Sequence, residues 1–290
     1  MNFKNTIKSF VVYLAYVILL GLFLCFLSCK RLPEISNATV NYSYNSKGLL
    51  VISMKNGKSF IIDTGAEMSF IFSDRLNINS LDIGTALVNG EKTLPFKRVD
   101  SLQIGKLLIT NNDFVFEIAE NGFLGKESTK DTNVVGVIGM DILSQKYCCF
   151  DIKGQTIRFS YKKEPKKELP SLILSYKSSK RPFLDLCING VLFEDVLFDI
   201  GFYHFAKLGE TDRKKLSKQT FIRQDTNYDF SGNQLLTYHE QFDSLLINGT
   251  LFSDKEISYG QKYRLLGIEF VKCWSSFVID PFKMEIAFYL

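Results

Sequence analysis

The sequence predicts an all-β protein of two pseudo-symmetric lobes with a cleft between them and only minor helix. Three observations carry this. The 290 residues are 46% hydrophobic, 14% aromatic and 23% charged, with 26 Phe and 13 Tyr, which excludes a largely disordered chain and favours strands. Long Ala/Leu/Glu runs of helical character are missing, while short apolar runs alternate with turn dipeptides. Finally, the chain repeats itself.

The first copy runs Asn56-Gly57, then Phe60-Ile61-Ile62-Asp63-Thr64-Gly65; the second runs Asn189-Gly190, then Val196-Leu197-Phe198-Asp199-Ile200-Gly201. Asp100-Ser101-Leu102-Gln103-Ile104-Gly105 is answered by Asp243-Ser244-Leu245-Leu246-Ile247-Asn248-Gly249. Val137-Ile138-Gly139 is answered by Leu265-Leu266-Gly267. Phe150-Asp151, closing on Ile157-Arg158-Phe159, is answered by Ile279-Asp280, closing on Ile286-Ala287-Phe288. The offsets are 136 (63 to 199), 143 (100 to 243), 128 (139 to 267) and 129 (151 to 280). Landmarks kept in order at nearly constant offset indicate a duplication, with the variation falling in loops that accept insertions cheaply.

Within each copy the elements are short strands. Leu49-Leu50-Val51-Ile52-Ser53-Met54 ends at the hairpin dipeptide Asn56-Gly57. Ala86-Leu87-Val88 meets Asn89-Gly90 and returns through Thr93-Leu94, a second hairpin whose counterpart is Ser231-Gly232-Asn233. Helix is expected only as a turn over Met140-Asp141-Ile142-Leu143 and in the polar segment near Asp212 to Ser217. Lobe one is assigned to 44–160, a linker to 161–170 and lobe two to 171–290. Much of the net charge of +4 sits in that linker, at Lys162, Lys163, Lys166 and Lys167. It reads as a solvated hinge, without the interleaved aromatics of a nucleic-acid face, so nucleic acid is not an expected partner.

At the N-terminus, Lys4 and Lys8 precede an apolar stretch from Phe10 to Leu27, followed by Ser28-Cys29. A basic start, an apolar run and a small residue before the break describe an export signal. Phe26-Leu27-Ser28-Cys29 resembles a bacterial lipobox, with Phe26 where Leu is usual, and implies lipidation of Cys29. The apolar run is also long enough to span a bilayer uncleaved. Either way the folded part faces away from the cytoplasm in a bacterial cell envelope, and the lipoprotein is favoured. Residues 1–29 are thus the signal and anchor, and 30–43 a tether. No pro-segment is expected between Cys29 and the first strand.

Cys148, Cys149, Cys187 and Cys273 remain beyond the signal. Without a C-x-x-C pair zinc has no support, and buried free thiols are expected, with a long-range disulfide as the alternative. His204 and His239 are the two histidines, lack metal-ligand spacing and read as surface or satisfied side chains. Neither a G-x-S-x-G elbow nor a phosphate loop is present. No metal or other cofactor is expected.

The remaining chemistry lies in Asp63-Thr64-Gly65. A bare Asp-Thr-Gly is a weak signal, but here Phe60-Ile61-Ile62 is a buried-strand run delivering Asp63 to a tight turn. Gly65 gives that turn its backbone freedom. Ala66 is small and Phe70-Ile71-Phe72 returns to the core. Ile61-Ile62-Asp63-Thr64-Gly65-Ala66, with the later Val137-Ile138-Gly139-Met140-Asp141-Ile142-Leu143, resembles the retropepsin-like and pepsin-like aspartic peptidases, from roughly Tyr44 to the C-terminus.

The resemblance implies retropepsin-like β-barrel lobes, with Asp63 and Asp199 as a catalytic pair. Two carboxylates about 3 Å apart cannot both ionise, so they share one proton, activate a water and polarise the amide carbonyl of a polypeptide substrate. Thr64, Gly65 and Gly201 would support the catalytic loops. Gly139 and Gly267 would lie where a side chain would collide with those loops. Asn89 and Gly90, with Ser231 and Gly232, would form the flaps. With both aspartates in one chain, a monomer is complete. The second copy departs from the family pattern at Ile200, which lacks the hydroxyl that braces the loops, and at Phe202, where a small residue is usual. The leading function is therefore an endopeptidase. The alternatives are a catalytically impaired peptide-binding lipoprotein and an assembly component whose second lobe serves only to pair with the first.

Overall fold

The computed structural model describes residues 33–88, 92–118, 132–163, 168–216, 220–228, 234–260 and 263–290. Cys29, the expected lipidation site, and Asn89, Gly90, Ser231 and Gly232, the expected flap positions, lie outside the described residues.

In the first half the strands are β1 (Glu34–Ile35), β2 (Ala38–Tyr44), β3 (Leu50–Ser53), β4 (Ser59–Ile62), β5 (Phe70–Phe72), β6 (Ser80–Val88), β7 (Lys92–Ile104), β8 (Leu107–Glu117), β9 (Val134–Ile138), β10 (Tyr147–Asp151) and β11 (Thr156–Ser160). A single helical turn, α1 (Met140–Leu143), follows β9. The second half carries β12 (Leu172–Ser175), β13 (Phe183–Ile188), β14 (Val191–Phe198), β15 (Ala206–Gly209), β16 (Thr220–Tyr228), β17 (Gln234–Ile247), β18 (Thr250–Gly260), β19 (Arg264–Leu266), β20 (Ser276–Asp280) and β21 (Glu285–Tyr289). It has a 3-10 helix at Glu210–Lys215 and a second helical turn, α2 (Ile268–Val271).

The duplication is visible in the pairing. In lobe one β4 runs parallel to β9, β9 antiparallel to β5, and β5 parallel to β8. In lobe two β14, β19, β15 and β18 repeat that order and those directions. The long hairpins match in register: Ser101 faces Thr110 across β7 and β8, and Ser244 faces Ser253 across β17 and β18. The chain is mostly strand, in two sheet-rich lobes.

A sheet in the order β12-β21-β20-β10-β11-β2 joins the lobes. Its centre is the β10–β20 pairing, Cys148 with Ile279 through Asp151 with Ser276. Above it Phe150 stacks on Phe277 at 4.2 Å between ring centroids, and Phe198 and Phe288 close around them. The main apolar core thus runs from one half of the chain into the other. Asp151 and Asp280 sit at equivalent turns, accepting the Gly154 and Lys283 amides at 2.8 and 3.1 Å.

Two expectations need correction. The segment expected as a tether over 30–43 contains β1 and most of β2. Val40 and Tyr42 are buried while Thr39, Asn41 and Ser43 are exposed, a period-two pattern whose apolar face covers the core between β3 and β11. The basic linker is also more than a solvated hinge: Lys163 reaches the buried Asp280 carboxylate at 3.0 Å. Cys148, Cys149, Cys187 and Cys273 are free thiols as expected, but only Cys148 is buried, and Cys187 is exposed.

Candidate active site

Each aspartate follows the last residue of a fully buried strand end. Asp63 comes after Ile62 of β4, and its amide donates to the Ile138 carbonyl at 3.0 Å; Asp199 comes after Phe198 of β14, and its amide donates to the Leu266 carbonyl at 2.9 Å. The parallel neighbour strands β9 and β19 therefore fix both loops in the same way. The two loops meet. A methyl group added at Gly65 would lie 2.5 Å from the Asp199 carboxyl carbon, and one added at Gly201 would lie 2.5 Å from that of Asp63. Each carboxyl thus packs on the other lobe's glycine, where no larger residue fits, and the two carboxyls hydrogen-bond each other.

Their surroundings differ. Asp63 Oδ1 accepts the Gly65 amide at 2.7 Å and the Ala66 amide at 3.2 Å. In lobe two the amide equivalent to that of Ala66, at Phe202, donates to the Asp199 backbone carbonyl at 3.0 Å instead. Asp199 Oδ1 is buried and accepts no hydrogen bond. Burial raises both pKa values. Asp199 is pushed well above the ordinary carboxylate range by burial and then by the charge of Asp63; the Gly201 amide and the Arg181 charge oppose this. At Asp63 the Asp199 hydrogen bond, the two amides and Arg181 counter the burial. These directions favour one shared proton, kept on Asp199, with Asp63 the better anion.

Thr64 joins the loops across the lobe boundary. Its Oγ1 donates to the Phe198 carbonyl at 2.6 Å and accepts the Ile200 amide at 3.1 Å. The reciprocal pair would need a hydroxyl at position 200. Behind the loops, a methyl group at Gly139 would lie 2.8 Å from the Ala66 carbonyl oxygen, and one at Gly267 would lie 2.6 Å from that of Phe202. The Gly139 amide donates to Ser69 Oγ at 2.9 Å, and Ser69 Oγ donates to Asp141 Oδ1 at 2.6 Å. Asp141 thereby ties the helical turn to the loop.

The dyad lies on the wall of a cavity of about 430 Å³. Lobe one contributes Met68, Phe70, Val88 and Val137 to its lining; lobe two contributes Leu197, Tyr263 and Leu265. Arg181 also lines it and was not singled out from sequence. The register places it opposite Leu49 of lobe one, since Phe183 pairs with Leu197 as Val51 pairs with Ile61. A bulge between Leu184 and Leu186 shifts β13 by one residue and hides that correspondence. The two histidines meet although their positions in the repeat differ: their ring centroids are 5.5 Å apart. His239 is buried, with Glu256 at 2.6 Å and Asp225 at 3.0 Å. Among the described residues no group of His, Cys, Asp and Glu is arranged to hold a metal.

No family model matches the sequence, and no curated protein matches it. Solved structures do match. Basic 7S globulin from soybean aligns over 88% of this chain and 95% of its own, with a TM-score of 0.50 and 9% identity. The chain has an aspartic-protease-like fold. Also similar are a retropepsin-like aspartic protease from Rickettsia conorii (TM-score 0.30, 20% identity, 41% of this chain and 88% of that one) and conglutin gamma, a basic 7S globulin from lupine seeds (TM-score 0.45, 9% identity, 89% and 95%). At these identities the likeness extends to the fold alone.

Proposed function

We propose that the chain is an aspartic endopeptidase that hydrolyses polypeptides in the bacterial cell envelope, acting as a monomer anchored through lipidated Cys29. The observation that carries the reading is the Asp63–Asp199 pair, hydrogen-bonded carboxyl to carboxyl between two glycines in a cleft. In this reading Asp63, supported by the Gly65 and Ala66 amides, takes a proton from the attacking water. Asp199, protonated, donates to the carbonyl oxygen and stabilises the tetrahedral intermediate. As the C–N bond breaks, Asp63 passes its proton to the leaving amine nitrogen and the re-forming carbonyl returns its proton to Asp199, which restores the shared-proton state. No cofactor enters the reaction.

The alternative, a catalytically impaired peptide-binding lipoprotein with the same cleft, is favoured by one observation: Ile200 leaves the brace between the loops one-sided. The deciding experiment incubates the full-length chain in detergent with a diverse peptide library from acidic to neutral pH. Cleavage that disappears in Asp63→Asn supports the peptidase; peptide binding with no cleavage at any pH supports the alternative.

A further inference from the structure

The same register that relates the two aspartates relates the two walls of the cleft, and the walls differ in chemistry. In lobe one a row of directly paired residues crosses the sheet: Ile61, Val137, Phe70, Val115 and Phe96. Paired residues share a face, and this face forms an apolar cluster with Leu49, Val51, Val88 and Leu94. Phe70, Val88 and Val137 of that cluster line the cavity.

The equivalent row of lobe two is Leu197, Leu265, Lys207, Ser258 and His239. It begins apolar, with Leu197 and Leu265 in the cavity wall, and then turns polar. Lys207 stands at the position of Phe70. It pairs directly with Leu265 and therefore shares its cleft-side face. Its flanking residues Ala206 and Leu208 point the other way, into the core. Arg181, in the cavity wall, stands at the position of Leu49. Two apolar residues of the lobe-one cluster, Phe70 and Leu49, thus correspond to cations in lobe two.

The other charges on this face are already matched. His239 is held by Asp225 and Glu256, and Arg223 pairs with Glu256 at 2.9 Å. Lys207 makes neither an ion pair nor a hydrogen bond among the described residues, and partial burial alone lowers its pKa. A partly desolvated ammonium with no carboxylate partner among the described residues favours an anionic group from outside the chain.

We infer that the cleft selects asymmetric peptides: a large apolar side chain seated against Phe70 and Val137 of lobe one, and an Asp or Glu side chain, across the scissile bond, paired with Lys207 of lobe two. The pseudo-two-fold relation of the walls puts the two side chains on opposite sides of the bond above Asp63 and Asp199. Arg181, beside the dyad, reinforces the cationic half. The inference rests on the peptidase reading for its hydrolytic readout and on the cleft alone for binding.

The test profiles a peptide library with the full-length chain and with Lys207→Met and Lys207→Glu. Preference for Glu or Asp on one side of the cut should fall about tenfold in kcat/KM in Lys207→Met, as expected for loss of a partly desolvated charge pair. Lys207→Glu should invert it toward Lys and Arg. Cleavage by the unaltered chain with no acidic preference, or with a preference that Lys207→Met leaves unchanged, overturns the inference and leaves the peptidase reading standing. If no peptide is cleaved, that reading falls, and fluorescence anisotropy with labelled acidic and neutral peptides of the same length decides. Tighter binding of the acidic peptide that is lost in Lys207→Met supports the inference; equal binding of the two overturns it.

Discussion

Thr64 Oγ1 accepts the Ile200 amide at 3.1 Å and donates to the Phe198 carbonyl at 2.6 Å, so one hydroxyl makes both of the hydrogen bonds that it sends across the lobe boundary. Thr64 and Ile200 are both fully buried, which makes each lost bond costly. Thr64→Val should destabilise the fold by about 2–4 kcal/mol, because it strands a buried carbonyl and a buried amide together. Ile200→Thr supplies the reciprocal hydroxyl to the Ile62 carbonyl and the Thr64 amide, at about 1 kcal/mol each, against a similar loss of apolar volume. Its stability should stay within about 1 kcal/mol of the parent while its activity is equal or raised. Denaturant titration of the two variants checks the pair; a Thr64→Val variant as stable as the parent would remove the brace from the account.

The glycines behind the two aspartate loops should be intolerant of any side chain, and unequally so. A methyl group at Gly139 meets the Ala66 and Met68 carbonyls at 2.8 and 2.9 Å. At Gly267 it meets the Phe202 carbonyl at 2.6 Å and crowds the His204 carbonyl still more closely. Backbone cannot rotate away as a side chain can. Gly267→Ala should cost about 3 kcal/mol or more, and Gly139→Ala somewhat less. Equal melting temperatures for Gly267→Ala and the parent would sink this ranking.

Asp141 should make the fold more stable in acid. Burial raises its pKa to about 6, against the opposing hydrogen bonds from Ser69 and the Ile142 amide. A carboxyl whose pKa is raised by folding binds its proton more tightly in the native state, so its contribution is present at low pH and is lost as pH rises through about 6. Melting temperature should therefore climb as pH falls from neutral toward the ordinary carboxylate range. The Asp141 share of that climb is about 2 kcal/mol. Asp141→Asn keeps an oxygen for Ser69 and should flatten the profile in this window. An unchanged slope would assign the effect to the dyad alone, which shifts in the same direction.

The anchor carries its own prediction. The proposed lipidation of Cys29 rests on Phe26-Leu27-Ser28-Cys29; if it holds, metabolic labelling with a palmitate analogue marks the parent chain and not Cys29→Ala. Label that persists in the variant would point to the uncleaved span instead.

The repeat made the lobes legible, because the strands that precede Asp63 and Asp199 each end in a buried apolar run and are followed by the same turn glycine. The matching glycines at 139 and 267 were legible for the same reason. What the sequence hid was lateral. The sheet joining the lobes depends on which strands pair across the boundary, Cys148 with Ile279 and Phe150 with Phe277, and local pattern is silent on that. Ala38–Tyr44 alternates clearly enough to be a strand, but its closeness to the apolar N-terminal run made it read as a tether. Arg181 was hidden by a single-residue bulge. The meeting of His204 with His239 depends on how the loop after Asp199 packs on β17, which no spacing rule reports.

The dyad yields the sharpest expectation. Both carboxyls are raised by burial, and Asp199 further by the charge of Asp63, so the pair titrates as a unit. In the proposed mechanism, hydrolysis needs the state with one proton. It should fall at low pH, where Asp63 is also protonated, and fall again as pH rises through the elevated pKa of Asp199, where both ionise and repel. The upper limb should lie above the ordinary carboxylate range, because burial and the Asp63 charge outweigh the Gly201 amide and Arg181. Asp63→Asn removes the base and Asp199→Asn the acid, so each should abolish hydrolysis. The double variant should be no worse than either, since the residues act as one unit. Arg181→Leu takes away a charge that stabilises both anions and should move the upper limb to higher pH. A pH–rate profile of the parent and these variants checks all of this at once, and cleavage that survives Asp199→Asn would remove the second aspartate from the chemistry.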